Sequence, residues 1–185
     1  MIEAVREDTE ARMVKAVSHA KSEFAGVRSG RANSGLVEKL PVDYYGSVVP
    51  MQQMASFSVP EARQLVISPF DRGSMTAIEK AIRDANLGLN PSNDGNQIRL
   101  NFPPLTEERR KEFVKMVKAR AEDGRTAVRG ARRDARKDLE SLEKDGDITE
   151  DERRRAEEQL DKTTKRFESD IDHALDTKTA ELMEG

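Results

Sequence analysis

Between residues 105 and 145 no proline interrupts the chain, and apolar side chains recur every three or four positions for about eleven helical turns. Phe113, Val117, Ala121, Gly124, Val128, Ala131, Ala135, Leu139 and Leu142 make up this row. The spacing keeps one narrow face of a helix apolar, a face that can be buried only against other helices. It predicts a single helix of about 41 residues, roughly 60 Å long. A second row runs beside the first: Lys111, Lys115, Lys118, Arg125, Arg129, Arg132 and Arg136, broken only by Glu122. At about 100° per residue this basic row is centred roughly 90° around the helix from the apolar one. One face is suited to packing and its neighbour to an anion. A solvated charged face without a partner is the competing reading of the same pattern.

Two further apolar rows supply the packing partners. Residues 2–28 carry Ile2, Val5, Thr9, Met13, Ala16, Ala20, Phe24 and Val27, and end at Arg28-Ser29-Gly30-Arg31, where glycine releases the helix. After a short turn at Gly146-Asp147, Thr149 and Glu152 match a capping box. The helix it opens holds Ala156, Leu160, Thr163, Phe167, Ile171, Ala174 and Leu182 on one side. Three apolar rows predict a three-helix bundle.

The intervening residues 31–104 lose this period. Val42 to Val49 reads as a strand, a turn and a second strand. Ser56–Val59 and Gln64–Ser68 read as further strands separated by Pro60-Glu61-Ala62. Ser74–Ala85 reads as a short helix with Ser74 at its N-cap, Leu87–Gly95 as a loop, and Gln97–Phe102 as a half-buried strand. Alternation along a strand predicts that the rings of Tyr44 and Tyr45 point to opposite faces, one to core and one to surface. The expected fold is therefore α+β: a long three-helix bundle of residues 1–30 and 105–185, with a small β/α/β sandwich domain of residues 31–104 inserted. Two adjacent connections, Ser29-Gly30-Arg31 and Pro103-Pro104-Leu105, would form a two-stranded hinge.

Taken alone, a net charge of −3 argues against an anionic partner; dividing the chain changes this. Residues 105–145 hold thirteen basic and ten acidic side chains, and residues 146–185 hold seven and thirteen. The average therefore conceals one basic helix beside one acidic helix. Arginine dominates the second half of the basic helix (Arg125, Arg129, Arg132, Arg133, Arg136), and its planar fork matches phosphate geometry. The acidic helix could equally neutralise this row, and the sequence leaves that open.

Chemistry of other kinds is poorly represented. There is no cysteine, so disulfides and thiol chemistry are excluded. The two histidines, His19 and His173, lack companions at metal-ligand spacing. No phosphate-cradling glycine loop, nucleophile elbow or metalloprotease signature is present, so neither an enzyme nor a cofactor is expected. The first residues lack a signal-peptide apolar core and no stretch is long enough to span a bilayer, which predicts a cytoplasmic protein without membrane partners. A helical adaptor for protein partners is the rival reading; it would show little salt dependence.

Several segments together resemble the bacterial ribosome recycling factor family across the whole chain. They are Gly30-Arg31-Ala32, Asp43-Tyr44-Tyr45-Gly46, Ala77-Ile78-Glu79-Lys80-Ala81-Ile82-Arg83-Asp84, Leu87-Gly88-Leu89-Asn90-Pro91, Pro103 to Lys111, and Val128-Arg129 followed by Arg132-Arg133. The resemblance implies an L-shaped monomer, without catalytic activity or cofactor of its own. It would bind the large subunit and its 23S rRNA in the post-termination ribosome. Together with elongation factor G and GTP it would separate the subunits, releasing mRNA and deacylated tRNA. By position in the matching motifs, Arg129, Arg132 and Arg133 carry over as rRNA contacts. The flanking Arg125, Arg136, Lys115 and Lys118 extend that set. Arg28, Arg31 and Arg110 lie near the hinge, where an RNA contact and a structural role are both open. One departure is visible: where the family commonly places a proline just after Gly-Arg-Ala, this chain has Asn33-Ser34-Gly35, flexible residues for a rigid one.

Overall fold

The computed structural model describes residues 1–184. In chain order its elements are α1 (Ile2–Ala25), β1 (Pro41–Tyr44), β2 (Ser47–Pro50), β3 (Ala55–Glu61), β4 (Gln64–Pro69), α2 (Met75–Asp84), β5 (Pro91–Asn93), β6 (Ile98–Asn101), α3 (Glu107–Lys144) and α4 (Glu150–Glu184). They fall into two compact units, Met1–Arg28 with Glu107–Glu184, and Ser29–Thr106. The fold is α+β, a three-helix bundle and a small inserted β/α/β unit.

In the first unit the three apolar rows meet along the bundle axis. Ion pairs fix the directions of the helices. Arg12 meets Asp134 at 2.8 Å and Arg120 meets Glu23 at 3.4 Å, so α1 runs antiparallel to α3. Arg125 meets Asp172 and Arg153 meets Glu143, each at 2.5 Å, so α4 is antiparallel to α3 in turn. The helices come close together at Gly124. A Cβ there would lie 3.1 Å from Ala20 Cβ on α1 and 3.1 Å from Ile171 Cδ1 on α4. Any larger residue there would have to push one of these side chains aside.

The buried layer departs from the sequence reading by single steps. Val17 is buried on α1 where Ala16 was expected to be, and Thr164 is buried on α4 where Thr163 was. Each helix of a three-helix bundle faces two neighbours, so its buried face is wider than one row; on α1 the larger Val17 takes the centre, and on α4 the face turns by one residue between two threonines. The buried hydroxyls are satisfied locally: Thr9 Oγ1 donates to the Val5 carbonyl at 2.6 Å and Thr164 Oγ1 to the Leu160 carbonyl at 2.7 Å. α1 also ends earlier than Gly30 implies, with Gly26 as its C-cap. At the start of α4 the capping box forms as the pattern predicts. The Glu152 amide donates to Thr149 Oγ1 at 3.3 Å and the Thr149 amide to Glu152 Oε2 at 2.8 Å. The Thr149 backbone amide, then its hydroxyl, hold the Glu152 carboxyl below the usual glutamate range.

The second unit contains a two-stranded sheet, β1-β2, and a four-stranded antiparallel sheet in the order β3-β4-β6-β5. Leu65 and Ile67 of β4, Ile98 and Leu100 of β6, Met75, Ile78 and Ile82 of α2, and Val42 of β1 share one core. Residues 91–93, read as loop from the sequence, are strand β5, paired with β6 from Pro91↔Leu100 to Asn93↔Ile98. It is an edge strand, where a proline costs no ladder hydrogen bond. β3 continues through Pro60 and Glu61, and the turn lies at Ala62-Arg63. Ser74 precedes α2 but does not cap it with its side chain; its hydroxyl donates instead to the Asp71 carbonyl at 2.6 Å.

Tyr44 packs against the core and Tyr45 lies exposed at the surface, as expected, but the two do not straddle a strand. Tyr45 (φ 49°) and Gly46 (φ 85°) form the two-residue turn of the β1–β2 hairpin, with both residues in left-handed conformation. Leaving the strand at Tyr45 breaks the alternation, and the two rings meet edge to face with centroids 4.6 Å apart. Asp71 Oδ2 accepts from both phenols, Tyr44 at 3.0 Å and Tyr45 at 3.4 Å, while its other oxygen accepts from the Gly73 amide at 2.9 Å. The Gly73 amide and then Tyr44 hold the Asp71 carboxyl below its usual range.

Candidate nucleic-acid interface

α3 presents its arginines beside α4, and the two helices are in register for ion pairing. Arg125 Nη1 lies 2.5 Å from Asp172, Arg129 Nε 2.5 Å from Glu168, and Arg136 Nη2 donates to both oxygens of Asp161 at 3.0 and 3.1 Å. Each step of four or seven residues up α3 is matched by an equal step down α4. Arg132 approaches the same Asp161 at 3.8 Å, an ion pair but not a hydrogen bond. Glu122, on α3 itself, accepts from Arg125 Nε at 3.0 Å and from Arg129 Nη1 at 3.3 Å. Its carboxyl is held below the usual range by Arg125 first and Arg129 second. The acidic helix therefore does reach the basic row, a question the sequence had left open.

The contact is uneven, and that decides what the row can offer an anion. Arg125 is the most enclosed, with its side chain 19% exposed and two carboxylates on it. Burial depresses its guanidinium, but Glu122 and Asp172 together outweigh this and raise its pKa. Arg129, Arg132 and Arg136 keep between 37% and 48% of their side-chain surface open. Arg133 lies on the outer side of the row, exposed, with no ion pair among the described residues. With Thr126 and Gly130 these four arginines line a shallow groove of about 450 Å³. Nothing lies within 4 Å of where a Cβ on Gly130 would sit, so the groove floor is open to solvent. Ion pairs this exposed contribute only ~0–1 kcal/mol each, so phosphate oxygens can take the place of the carboxylates at small cost.

Other residues singled out from the sequence are not gathered into this groove. Lys115 lies about five turns, roughly 27 Å, along α3 from Arg133, and on the same side; Lys118 is nearer, and both are exposed. Arg110 is half-buried at the start of α3, its Nε enclosed without a partner among the described residues. Arg28 and Arg31 are exposed, one in each compact unit. In the second unit the connections pass side by side: Gly30, at φ 80°, brings its backbone to where a Cβ would meet Leu105 Cγ at 3.4 Å. Just inside them the chain is tied down. The Ala32 amide donates to the Ala62 carbonyl and the Phe102 amide to the Arg63 carbonyl, both at 2.8 Å. Asn33-Ser34-Gly35 is also less free than its composition suggests, because Asn33 Oδ1 accepts from the Gly35 amide at 2.8 Å and caps a short 3₁₀ turn.

What sequence reasoning missed are the acidic partners, Asp161, Glu168 and Asp172, and the two small residues of the groove, Thr126 and Gly130. The partners had a signal: carboxylates seven and four apart on α4 mirror arginines four and seven apart on α3. Among the described residues, no group of three or more His, Asp or Glu side chains is placed to hold a metal ion. No helix among them is long and apolar enough to cross a membrane.

Comparison with known proteins bears on the same chain. The sequence model of the ribosome recycling factor family matches residues 20–183. The ribosome-recycling factor of Cutibacterium acnes is 52% identical over 177 residues, 96% of each chain. That of Streptomyces avermitilis is 50% identical over 184 residues, with 100% of both covered. A solution structure of the ribosome recycling factor is 43% identical, with a TM-score of 0.78 over 100% of this chain and 98% of that one. A Thermus thermophilus ribosome recycling factor, described with Escherichia coli elongation factor G bound to the E. coli post-termination complex, is 42% identical. Its TM-score is 0.68 over 98% of both chains.

Proposed function

The chain belongs to the ribosome recycling factor family, and from that premise we propose that it binds the post-termination ribosome and parts its subunits with elongation factor G and GTP. Messenger RNA and deacylated tRNA are then free to leave. The observation that carries the mechanism is the groove on α3, where Arg129, Arg132, Arg133 and Arg136 converge around Gly130. Phosphates of the large subunit's 23S rRNA bind there. Arg133 makes contact without giving up a partner, whereas Arg129, Arg132 and Arg136 exchange carboxylate for phosphate. Arg125 takes part chiefly by bracing α3 against α4. Lys115 and Lys118 extend the basic edge along the same helix.

The similar Thermus factor, described together with elongation factor G bound to a post-termination complex, supports the same partners here. GTP hydrolysis belongs to the elongation factor, and this chain contributes binding and leverage rather than catalysis, as a cytoplasmic monomer. Bending occurs at Ser29-Gly30-Arg31 and Pro103-Pro104-Leu105. The hydrogen bonds of Ala32 and Phe102 to the β3–β4 turn mark where the chain becomes stiff again. Arg28, Arg31 and Arg110 flank these connections, where they steady the joint or reach RNA. The test is to mix post-termination ribosomes with this protein, elongation factor G and GTP, and to sediment the products. Separated subunits are the expected result; intact ribosomes, where another recycling factor splits them, overturn the reading.

A further inference from the structure

The α4 carboxylates beside the basic row add little to the fold, apart from Asp172, which helps the enclosed Arg125 brace α3 against α4. Packing is supplied by the apolar rows, and exposed ion pairs add only ~0–1 kcal/mol each. Yet Asp161, Glu168 and Asp172 fall opposite Arg136, Arg129 and Arg125 in register, and Asp161 serves Arg132 as well. A row of unoccupied arginines would attract RNA of any sequence, since each phosphate engaged releases condensed counterions whatever the base. We propose that these three α4 carboxylates set the selectivity of the RNA-binding face by occupying the arginines as internal substitutes for phosphate.

This rests on the groove being an RNA site, and it assigns the acidic side chains a part in that site. A flexible single strand gains little from displacing them. Each exchange trades one guanidinium–anion contact for another, and the strand must also be ordered to make it. A rigid RNA surface has its phosphates fixed beforehand, so several exchanges follow from one docking event. The carboxylates also hold Arg129 and Arg136 in defined directions, which lowers the ordering cost at a matching site. Arg133, outside this set, is the side chain left open for first contact. The distribution of charge agrees: the protein carries a basic face while its net charge stays at −3, through an acidic segment placed against that face.

The experiment compares the full chain with a D161N/E168Q/D172N variant and with a control, E7Q/D84N/D170N, which removes the same charge from exposed carboxylates not paired with the groove arginines. Binding to a fluorescein-labelled, mixed-sequence single-stranded RNA is followed by anisotropy over a range of salt. The neutralised variant should bind about tenfold more tightly at low salt. Its log–log salt slope should be steeper by about two, from roughly three further phosphates at ~0.7 each. D161N alone should move the same way by less, which guards the result if the triple variant unfolds. The control should stay within about twofold of wild type. Unchanged affinity and slope in the neutralised variant overturn the proposal, and so does an equal gain in the control, which would reduce the effect to net charge. The RNA reading itself is judged separately by R133A on ribosomes. If R133A weakens ribosome binding while neutralised α4 leaves loose RNA unaffected, only the selectivity role fails.

Discussion

Replacing Gly124 and Gly130 with alanine, one at a time, should move stability in opposite directions although the two lie on the same helix. Each Gly→Ala change gains ~0.8–1 kcal/mol of helix propensity. At Gly130 nothing lies within 4 Å of the new Cβ, so that gain should appear almost whole. At Gly124 the Cβ would stand 3.1 Å from both Ala20 Cβ and Ile171 Cδ1. Carbon contacts are most favourable near ~3.5–4.0 Å, leaving an overlap of about 0.4–0.9 Å on two sides. Ala20 Cβ cannot yield unless α1 moves, and the fully buried Ile171 would have to shift its side chain by a few tenths of an ångström within the core. Such overpacking costs ~1–3 kcal/mol, so Gly124→Ala should destabilise the bundle by up to ~2 kcal/mol net. The two variants should differ by ~1–3 kcal/mol. Guanidinium unfolding followed by far-ultraviolet circular dichroism reads the helical unit directly; the chain has two units, and a helix-weighted signal avoids treating them as one transition. A Gly124→Ala protein as stable as Gly130→Ala would refute the close approach of the three helices.

Other predictions concern the caps and the carboxylates. Thr149→Ala removes the hydroxyl that accepts from the Glu152 amide and should cost ~0.5–2 kcal/mol in the same unfolding experiment. The carboxyls of Asp134, held by the Arg12 guanidinium, and of Glu122, held by Arg125, lie below their ordinary values of 3.8 and 4.5. Because folding lowers these pKa values, the stability they add is complete above the ordinary values. It is lost as pH falls through the folded ones. Melting temperature should therefore drop on the acid side of about pH 4, and Asp134→Asn should flatten that limb. Asp71→Ala releases both tyrosine hydroxyls and the Gly73 amide. Amide exchange should quicken at Tyr45 and Gly46 while the helices of the bundle keep their protection.

The long helices were readable because their seams depend on one residue type recurring at one spacing, and Val117 to Leu139 are buried as that spacing requires. Ala16 and Thr163 fell one step off the buried line because a period gives the centre of a face, while its width depends on how many neighbours the helix has. Strand β5 was invisible because Pro-Ser-Asn carries no apolar alternation; it is a strand only through its pairing with β6. The Tyr45 turn was concealed for a related reason, since a left-handed tyrosine is rare and Asp43, which accepts from the Gly46 amide at 3.1 Å, is three residues away. The basic row was visible as spacing, but its state was not. Whether Arg129 is open or paired depends on which flank of α3 receives α4, and that follows from three-dimensional handedness. Arg133 and Arg132 are neighbours in the chain; one points outward and the other shares Asp161 with Arg136.

Binding to isolated large ribosomal subunits, measured as a function of salt for wild type and Arg133→Ala, tests most directly whether the α3 groove grips rRNA phosphates. Arg133 has no carboxylate to release among the described residues, so if the groove binds rRNA its removal should take away a phosphate contact and leave the fold alone. The wild-type log–log salt slope should exceed that of the variant by about one in magnitude. Arg133→Ala should also bind roughly tenfold more weakly at low salt, about 1.4 kcal/mol, with its circular dichroism unchanged. A variant that binds as tightly as wild type, with the same slope at every salt concentration, would contradict the account.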